Sequence, residues 1–266
     1  MTILFLTPFS FVCAQQTETK EETKKETVTP TPAPQALDPS KNLTAEGVAE
    51  SAILIYGGLA GRNSLNQIRK TTIERGKMRI VNPDGTIDNP NYQRWIIRGE
   101  SLEKEKSRFE QEFPNTKFSL VYDGEKVFGL YNNTIFTPRE SATLSFQNQI
   151  WHGLEALLRY KENGSKIEFV GRDKIMNVDF FIVEVIDKQD RKTRFYVSAK
   201  TYRVMMLEYE DAGVKFKRKF YDYNYSQGTL VPYRTVLWAD NKQVEETSIM
   251  TVTYGQKVED FMFAGS

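Results

Sequence analysis

The chain has 266 residues, enough for one large β domain or two small ones, with 36 basic and 35 acidic side chains. This balance excludes the strongly basic composition that is typical of nucleic-acid-binding proteins. The single cysteine, Cys13, and the single histidine, His152, exclude a disulfide framework and multi-histidine metal sites, and they argue against a histidine-based catalytic triad.

The first segment, Met1 to Ala14, is largely apolar and ends with a small residue. Together with Val12, this ending resembles a signal-peptidase site, so we predict a signal peptide cleaved near Ala14 and export to the periplasm. An ordinary apolar N-terminus is the alternative. Lipidation of Cys13 would need a small residue before it, and Val12 stands there instead. No later stretch has the roughly 20 apolar residues of a membrane-spanning helix, so we predict no transmembrane segment.

Residues 15–41 are rich in Thr, Glu, Lys, Pro and Gln, and Thr29–Pro34 reads TPTPAP. So few apolar groups cannot offset the loss of chain entropy on folding, which predicts a disordered tether. The alternative is an N-terminus without a role. We expect the remaining residues, 42–266, to form a single domain.

The stretch from Leu43 to Gly61 is predicted to be a helix that Thr44 caps. Its apolar residues recur at helical spacing, at Val48, Ala52, Ile55 and Leu59. The glycines at 57, 58 and 61 lack the preceding strand and the Lys-Ser/Thr pair of a phosphate-binding loop. We therefore interpret them as a helix cap and a close turn.

The next segment is predicted to be mostly β. A strand follows Asn63 and ends near Val81, and an Asp123-Gly124 turn predicts a β-hairpin. The other strand predictions before residue 135 are Tyr92–Arg98, Lys104–Gln111, Phe118–Tyr122 and Val127–Tyr131.

The spacing of the apolar residues then changes to that of a helix. We predict this helix over Pro138–Tyr160, ending near Asn163-Gly164. Its apolar stripe comprises Ile150, Leu154, Leu157 and Leu158. His152 lies in this helix, where we expect it to be partly exposed and without a chemical role.

The last third of the chain predicts an antiparallel meander, because its polar breaks are too short for the crossovers of parallel strands. Ile167–Gly171 begins it. The following strands are predicted at Val178–Ile186, Arg194–Ser198, Val204–Glu210, Val214–Tyr225, Val231–Ala239 and Val244–Tyr254. In the last strand, alternation places Met250 and Val252 on one face and Thr247 on the other.

No catalytic or metal-binding pattern is found: there is no Gly-x-Ser-x-Gly, no His-Glu-x-x-His and no Walker sequence. We interpret Glu245, Glu246 and Asp222 as solvated strand positions, and we expect a protein that is not an enzyme and needs no cofactor. A basic cluster alternates with Phe216 and Phe220. It is interpreted either as a solvated basic face or as a rim for anionic groups, and it comprises Lys215, Lys217, Arg218 and Lys219.

Several separate stretches together resemble the LolA/LolB-like lipoprotein-sorting superfamily. They run in order over about Leu43 to Phe263, and they are Gly57-Gly58 with Leu65, Ile68 and Gly76, then Asp123-Gly124, Phe195-Tyr196-Val197 with Lys200–Val204, Leu230–Tyr233, and Lys257–Phe263. The chain departs from the pattern where Ser198-Ala199-Lys200 replaces an acidic residue and where Gly255 replaces an asparagine.

The resemblance implies an α+β fold: a strongly curved antiparallel sheet, an unclosed β-barrel, with helices packed in its concave face. It implies a periplasmic, non-enzymatic carrier or binding protein for lipid or lipoprotein acyl chains, and we expect a monomer. The alternative is an envelope protein-binding module of the same fold without lipid cargo. The predicted cavity lining is apolar and comprises Phe180, Ile182, Phe195, Val197, Met205, Leu207, Phe216, Phe220, Trp238, Met250 and Val252.

Overall fold

The structure is a computed structural model that describes residues 43–132 and 134–265. The predicted signal peptide and tether lie outside the described residues and stay predictions. No helix in the described part of the chain is long and apolar enough to cross a membrane.

The fold is α+β and is built on one open antiparallel sheet, as predicted. Its strands within the described ranges are β1 (Thr71–Val81), β2 (Ile87–Asp88), β3 (Asn91–Ile97), β4 (Lys106–Phe113), β5 (Thr116–Tyr122), β6 (Val127–Tyr131), β7 (Thr134–Phe136), β8 (Lys166–Ile175), β9 (Val178–Ile186), β10 (Lys192–Ser198), β11 (Val204–Asp211), β12 (Val214–Ser226), β13 (Thr229–Ala239) and β14 (Lys242–Tyr254). Thirteen of them run in the order β7-β6-β5-β4-β3-β1-β14-β13-β12-β11-β10-β9-β8, and β2 pairs with β1. The sheet does not close, because β7 and β8 are its two ends.

The helices cover one face of the sheet, which we call the inner face. They are α1 (Ala45–Gly57), α2 (Gly61–Ile68), α3 (Glu140–Trp151) and α4 (Leu154–Leu158), with 3-10 turns at Gly58–Ala60, Leu102–Lys104 and Asp260–Phe263. One core cluster joins residues of α1, α3 and α4 to inner-face residues such as Phe195 and Leu207.

The first helix begins as predicted and ends earlier. The Thr44 hydroxyl accepts a hydrogen bond from the Gly47 amide at 3.0 Å, and Gly58 has a φ of 65°, which favours glycine. The chain turns at Gly58 and then forms α2, in a region that we predicted to lead directly into a strand. Leu59, predicted to be in the buried stripe, is fully exposed because it lies in the turn.

The second predicted helix is interrupted. It divides into α3 and α4 at His152 and Gly153, because Gly153 adopts an extended ψ of 175°. His152 is buried rather than partly exposed, with 3% of its surface accessible. Its ring stacks on Tyr209 at a centroid distance of 4.1 Å, and Nδ1 lies 2.7 Å from the Thr193 hydroxyl.

The structure separates two apolar sets that we predicted on one concave face. Phe195 pairs with Val183 and belongs to the inner core. Ile182 pairs with Tyr196, and both lie with Phe180 in a separate cluster. Side chains alternate between the faces of a strand, so Phe180 and Ile182 on β9 point to the outer face.

A β-bulge makes the face prediction for β14 wrong. Glu74 pairs with Val252 and Gly76 with Ile249, so Met250 is an extra residue without a partner on β1. The extra residue reverses the alternation. Thr247 therefore shares the face of Val252, while Met250 is 64% exposed.

The chain's last described segment packs on the outer face of the first half of the sheet. Val258 and Phe263 bury Val121, Phe128 and Leu130 there. The other face of these strands is free to contact the helices.

Candidate functional site

Two spaces open on the inner face. The first, which we call the charged cavity, has a volume of about 210 Å³. Four arginines and four glutamates line it beside apolar and polar neighbours, namely Arg69, Arg94, Arg98, Arg218, Glu74, Glu105, Glu155 and Glu245. The second, which we call the apolar groove, has a volume of about 480 Å³.

Glu155 of α4 organises one side of the charged cavity. Its carboxylate accepts from Arg69 at 2.8 Å and from Arg98 at 2.7 Å. Burial alone would raise the pKa of Glu155, but the two guanidinium groups outweigh it and lower the pKa to about 2. Arg69 also donates to the Leu230 carbonyl at 2.7 Å, so this cluster joins α4 to both halves of the sheet.

A second buried pair adjoins the first. Arg159 donates to Glu105 at 3.1 Å, and the two side chains are 3% and 8% exposed. Burial raises the pKa of Glu105 to about 7 although Arg159 and Arg98 act in the opposite direction. This carboxyl group therefore exchanges its proton near neutral pH.

Two cavity arginines have no ion pair with any residue that the structure describes. Among the described residues, no carboxylate lies within 4.0 Å of Arg94 or Arg218. Arg94 donates to the Gln149 side chain at 2.6 Å and lies over the Phe109 ring at 4.8 Å. The Nε of Arg218 is buried and has no acceptor within the described part of the chain. We had grouped Arg218 with the basic cluster of β12, but it faces inward, with Phe220, into the cavity.

The apolar groove lies where β5, β6 and β7 meet the start of α3. It is lined by Phe118, Leu120, Tyr131, Thr134, Phe136, Pro138, Arg139 and Ala142. Gly129 makes its shape possible, because the Phe136 ring lies where a Cβ of residue 129 would be. Tyr131 is 47% and Phe136 37% exposed, and the two occupy diagonal positions across the β6–β7 pair.

A row of paired residues connects the two spaces. Leu120 of the groove pairs with Phe109, and Phe109 pairs with Arg94 of the cavity. Phe109 also stacks on Phe146 of α3 at a centroid distance of 6.4 Å. These two rings form the partition between groove and cavity.

The structure does not bring the predicted cavity residues together. Phe220 lines the charged cavity, whereas Phe195, Val197 and Leu207 are fully buried in the core. The others are dispersed. Phe180 and Ile182 pack in the outer cluster with Met205 beside them, and Phe216 contacts Tyr209 at the edge of a surface depression. Trp238 lies under Lys219, Met250 is exposed, and Val252 packs with Val231 and Tyr254. Their part in ligand binding stays a prediction.

The groove was not among the sites predicted from the sequence, although its sequence signal was present. Phe118 and Leu120 alternate with polar residues in the predicted hairpin, and Phe136 precedes Pro138. What the pattern lacks is the packing of α3 against β6, which brings the two segments into one groove.

Glu184, Arg194 and Asp222 do not converge into one cluster. Glu184 pairs with Arg194 at 3.1 Å, while Asp222 pairs with Arg234 at 2.9 Å. No cluster of three or more His, Cys, Asp or Glu side chains suited to a metal occurs within the described ranges.

No protein-family model matches the sequence, and no curated protein matches it. Solved structures do match. A DUF1329 family protein from Desulfovibrio piger has a TM-score of 0.59 and 13% identity, over 83% of this chain and 97% of that one. A LolA superfamily protein from Nitrosomonas europaea has a TM-score of 0.58 and 14% identity, over 84% and 98%.

A third structure, of a putative outer membrane lipoprotein-sorting protein domain from Vibrio parahaemolyticus, has a TM-score of 0.53 and 15% identity, over 82% of this chain and 97% of that one. At these identities the likeness establishes the fold alone. The resemblance to the LolA/LolB-like superfamily is thereby confirmed at the level of the fold.

Proposed function

We propose that this protein, which shares the fold of LolA superfamily structures, is a non-enzymatic carrier or binding protein for lipid or lipoprotein acyl chains in the periplasm. The observation that supports this most directly is the apolar groove between β5–β7 and α3. An open apolar surface on a protein of this fold is typical of a site for an apolar ligand.

The sizes of the two spaces favour the groove as the acyl site. Ligand pockets have volumes of roughly 300–1,000 Å³. The groove, at about 480 Å³, falls within that range, whereas the charged cavity, at about 210 Å³, falls below it. Each methylene buried in the groove would contribute about 0.8 kcal/mol. A charged lining would not contribute in this way.

Release of a bound ligand requires a movable element beside the groove, and we propose that β7 and the first turn of α3 form this lid. β7 has three residues and is the last strand of the sheet, so few hydrogen bonds hold it. Moving it would uncover Phe118 and Leu120 without disturbing the central strands. Release of the ligand would follow from this local opening.

The test is to fill the groove. Ala142→Phe places a ring in the space, and Ser141→Phe is the matched control on the exposed side of the same helix. If the ring displaces two methylenes, binding of a fluorescent fatty acid weakens about tenfold. The control should bind as the wild type does. Equal binding by both variants, or a wild-type protein that binds no fatty acid and carries no lipid by mass spectrometry, would refute the proposal.

A protein partner in the cell envelope is the second candidate. β8 is a ten-residue edge strand, and Val170, Met176 and Val178 are exposed along or beside it. Such an edge can accept a strand of another protein. A stoichiometric complex that Met176→Lys abolishes and Ala142→Phe leaves intact would favour this candidate.

A further inference from the structure

We propose that the charged cavity is an anion subsite, in which Arg94 and Arg218 bind a phosphate or carboxylate group of the same ligand whose acyl chain occupies the apolar groove. This inference rests on the proposed function and adds the polar half of the ligand. It makes the preferred ligand an anionic amphiphile rather than a neutral one.

The charge balance supports an anion. The cavity's four arginines and Arg159, which is paired with Glu105, set five guanidinium groups against four carboxylates. The remaining carboxylates are already engaged by hydroxyl groups: Glu74 accepts from Tyr92 at 2.7 Å and Glu245 accepts from Thr247 at 3.2 Å. Because burial raises the pKa of Glu105 to about 7, the balance becomes more positive below neutral pH.

The arginines offer donors that lack acceptors. The buried Nε of Arg218 donates to no atom of the described chain, and a buried donor without an acceptor is costly. Arg94 uses Nη2 for Gln149. Ligand oxygens would accept hydrogen bonds from the terminal nitrogens of the two guanidinium groups, and the planar guanidinium fork matches the geometry of phosphate and carboxylate.

The distance between the apolar groove and the charged cavity suits a single amphiphilic ligand. Leu120, Phe109 and Arg94 are paired across three neighbouring strands, which lie about 4.8 Å apart. The groove wall and the first arginine are therefore about 10 Å apart. An amphiphile that passes the Phe109 partition places its apolar part in the groove and its anionic part in the cavity.

The experiment measures binding of three probes by calorimetry, each below its micelle concentration: dodecyl phosphate, dodecyl maltoside and inorganic phosphate. The variants are Arg218→Gln and Arg94→Gln. Arg75→Gln is the control, because Arg75 is adjacent to the cavity residue Glu74 but exposed. Arg218→Lys retains the charge and serves as a second variant that preserves the fold if the glutamine variant does not.

We expect dodecyl phosphate to bind more tightly than dodecyl maltoside. Loss of either arginine should weaken the binding of dodecyl phosphate by about 10- to 100-fold and leave the binding of dodecyl maltoside unchanged. Arg218→Lys should retain part of the affinity for dodecyl phosphate that Arg218→Gln loses. Arg75→Gln should match the wild type.

Equal affinity for the two amphiphiles, or an affinity for dodecyl phosphate that neither arginine affects, would overturn the subsite while leaving the acyl site in place. Inorganic phosphate that binds through Arg218 when neither amphiphile binds would instead support an anion site for a free ion and refute the acyl-carrier function.

Discussion

Replacing Glu155 by glutamine should destabilise the protein more than any exposed ion pair could. The Glu155 carboxylate bridges Arg69 and Arg98, whose side chains are 7% and 9% exposed. A neutral amide keeps the shape but removes the carboxylate that both buried guanidinium groups contact. Removing one partner of a buried ion pair typically costs about 3–5 kcal/mol.

The pKa of Glu155 gives a second value for this loss of stability. Arginine neighbours lower the pKa of Glu155 from 4.5 to about 2, against the effect of burial. At 1.36 kcal/mol for each pH unit, this corresponds to about 3 kcal/mol of stability. Because the folded-state pKa is lowered, this stability is present above the unfolded-state pKa of about 4.3 and is lost as the pH falls towards 2.

The assay is urea unfolding followed by fluorescence of the three tryptophans. At pH 7 we expect Glu155→Gln to lower the free energy of unfolding by about 3 kcal/mol, and at pH 3 by about half as much. Glu259→Gln is the control, because Glu259 pairs with Lys257 while 47% exposed, and such pairs contribute about 1 kcal/mol or less. A loss under about 1 kcal/mol for Glu155→Gln, or one that does not change with pH, would contradict this reasoning.

Two further predictions follow from burial. Leu207→Ala should lower the free energy of unfolding by about 2–5 kcal/mol, because Leu207 is fully buried, whereas Met250→Ala at the bulge should change it by less than about 0.5 kcal/mol; similar losses from both would place Met250 in a core. The raised pKa of Glu105 favours its protonated form in the folded state, so stability should decrease as the pH rises from about 4.5 to about 7, and urea unfolding of Glu105→Gln should lack this decrease. A wild-type slope retained in the variant would assign the decrease to another group.

Much of the fold was predictable because its signals are local. Alternating side chains and turn residues predicted most strands to within a few residues, and Val178–Ile186 and Val127–Tyr131 have the bounds expected. The Asp123-Gly124 hairpin is confirmed, with Gly124 at a φ of 97°. The candidate site was less predictable, because the face of a residue such as Arg218 depends on the registers between strands.

The sequence by itself determined the antiparallel sheet, its turns and the capped first helix, since these depend on neighbours a few residues apart. Only the tertiary structure decided which side chains meet. Glu155 reaches Arg69 across 86 residues, and the bulge at Met250 reverses the alternation from which its face was predicted. The charged cavity and the apolar groove arise from such distant pairings, and the free energy of burying a charge depends on partners that no local pattern specifies.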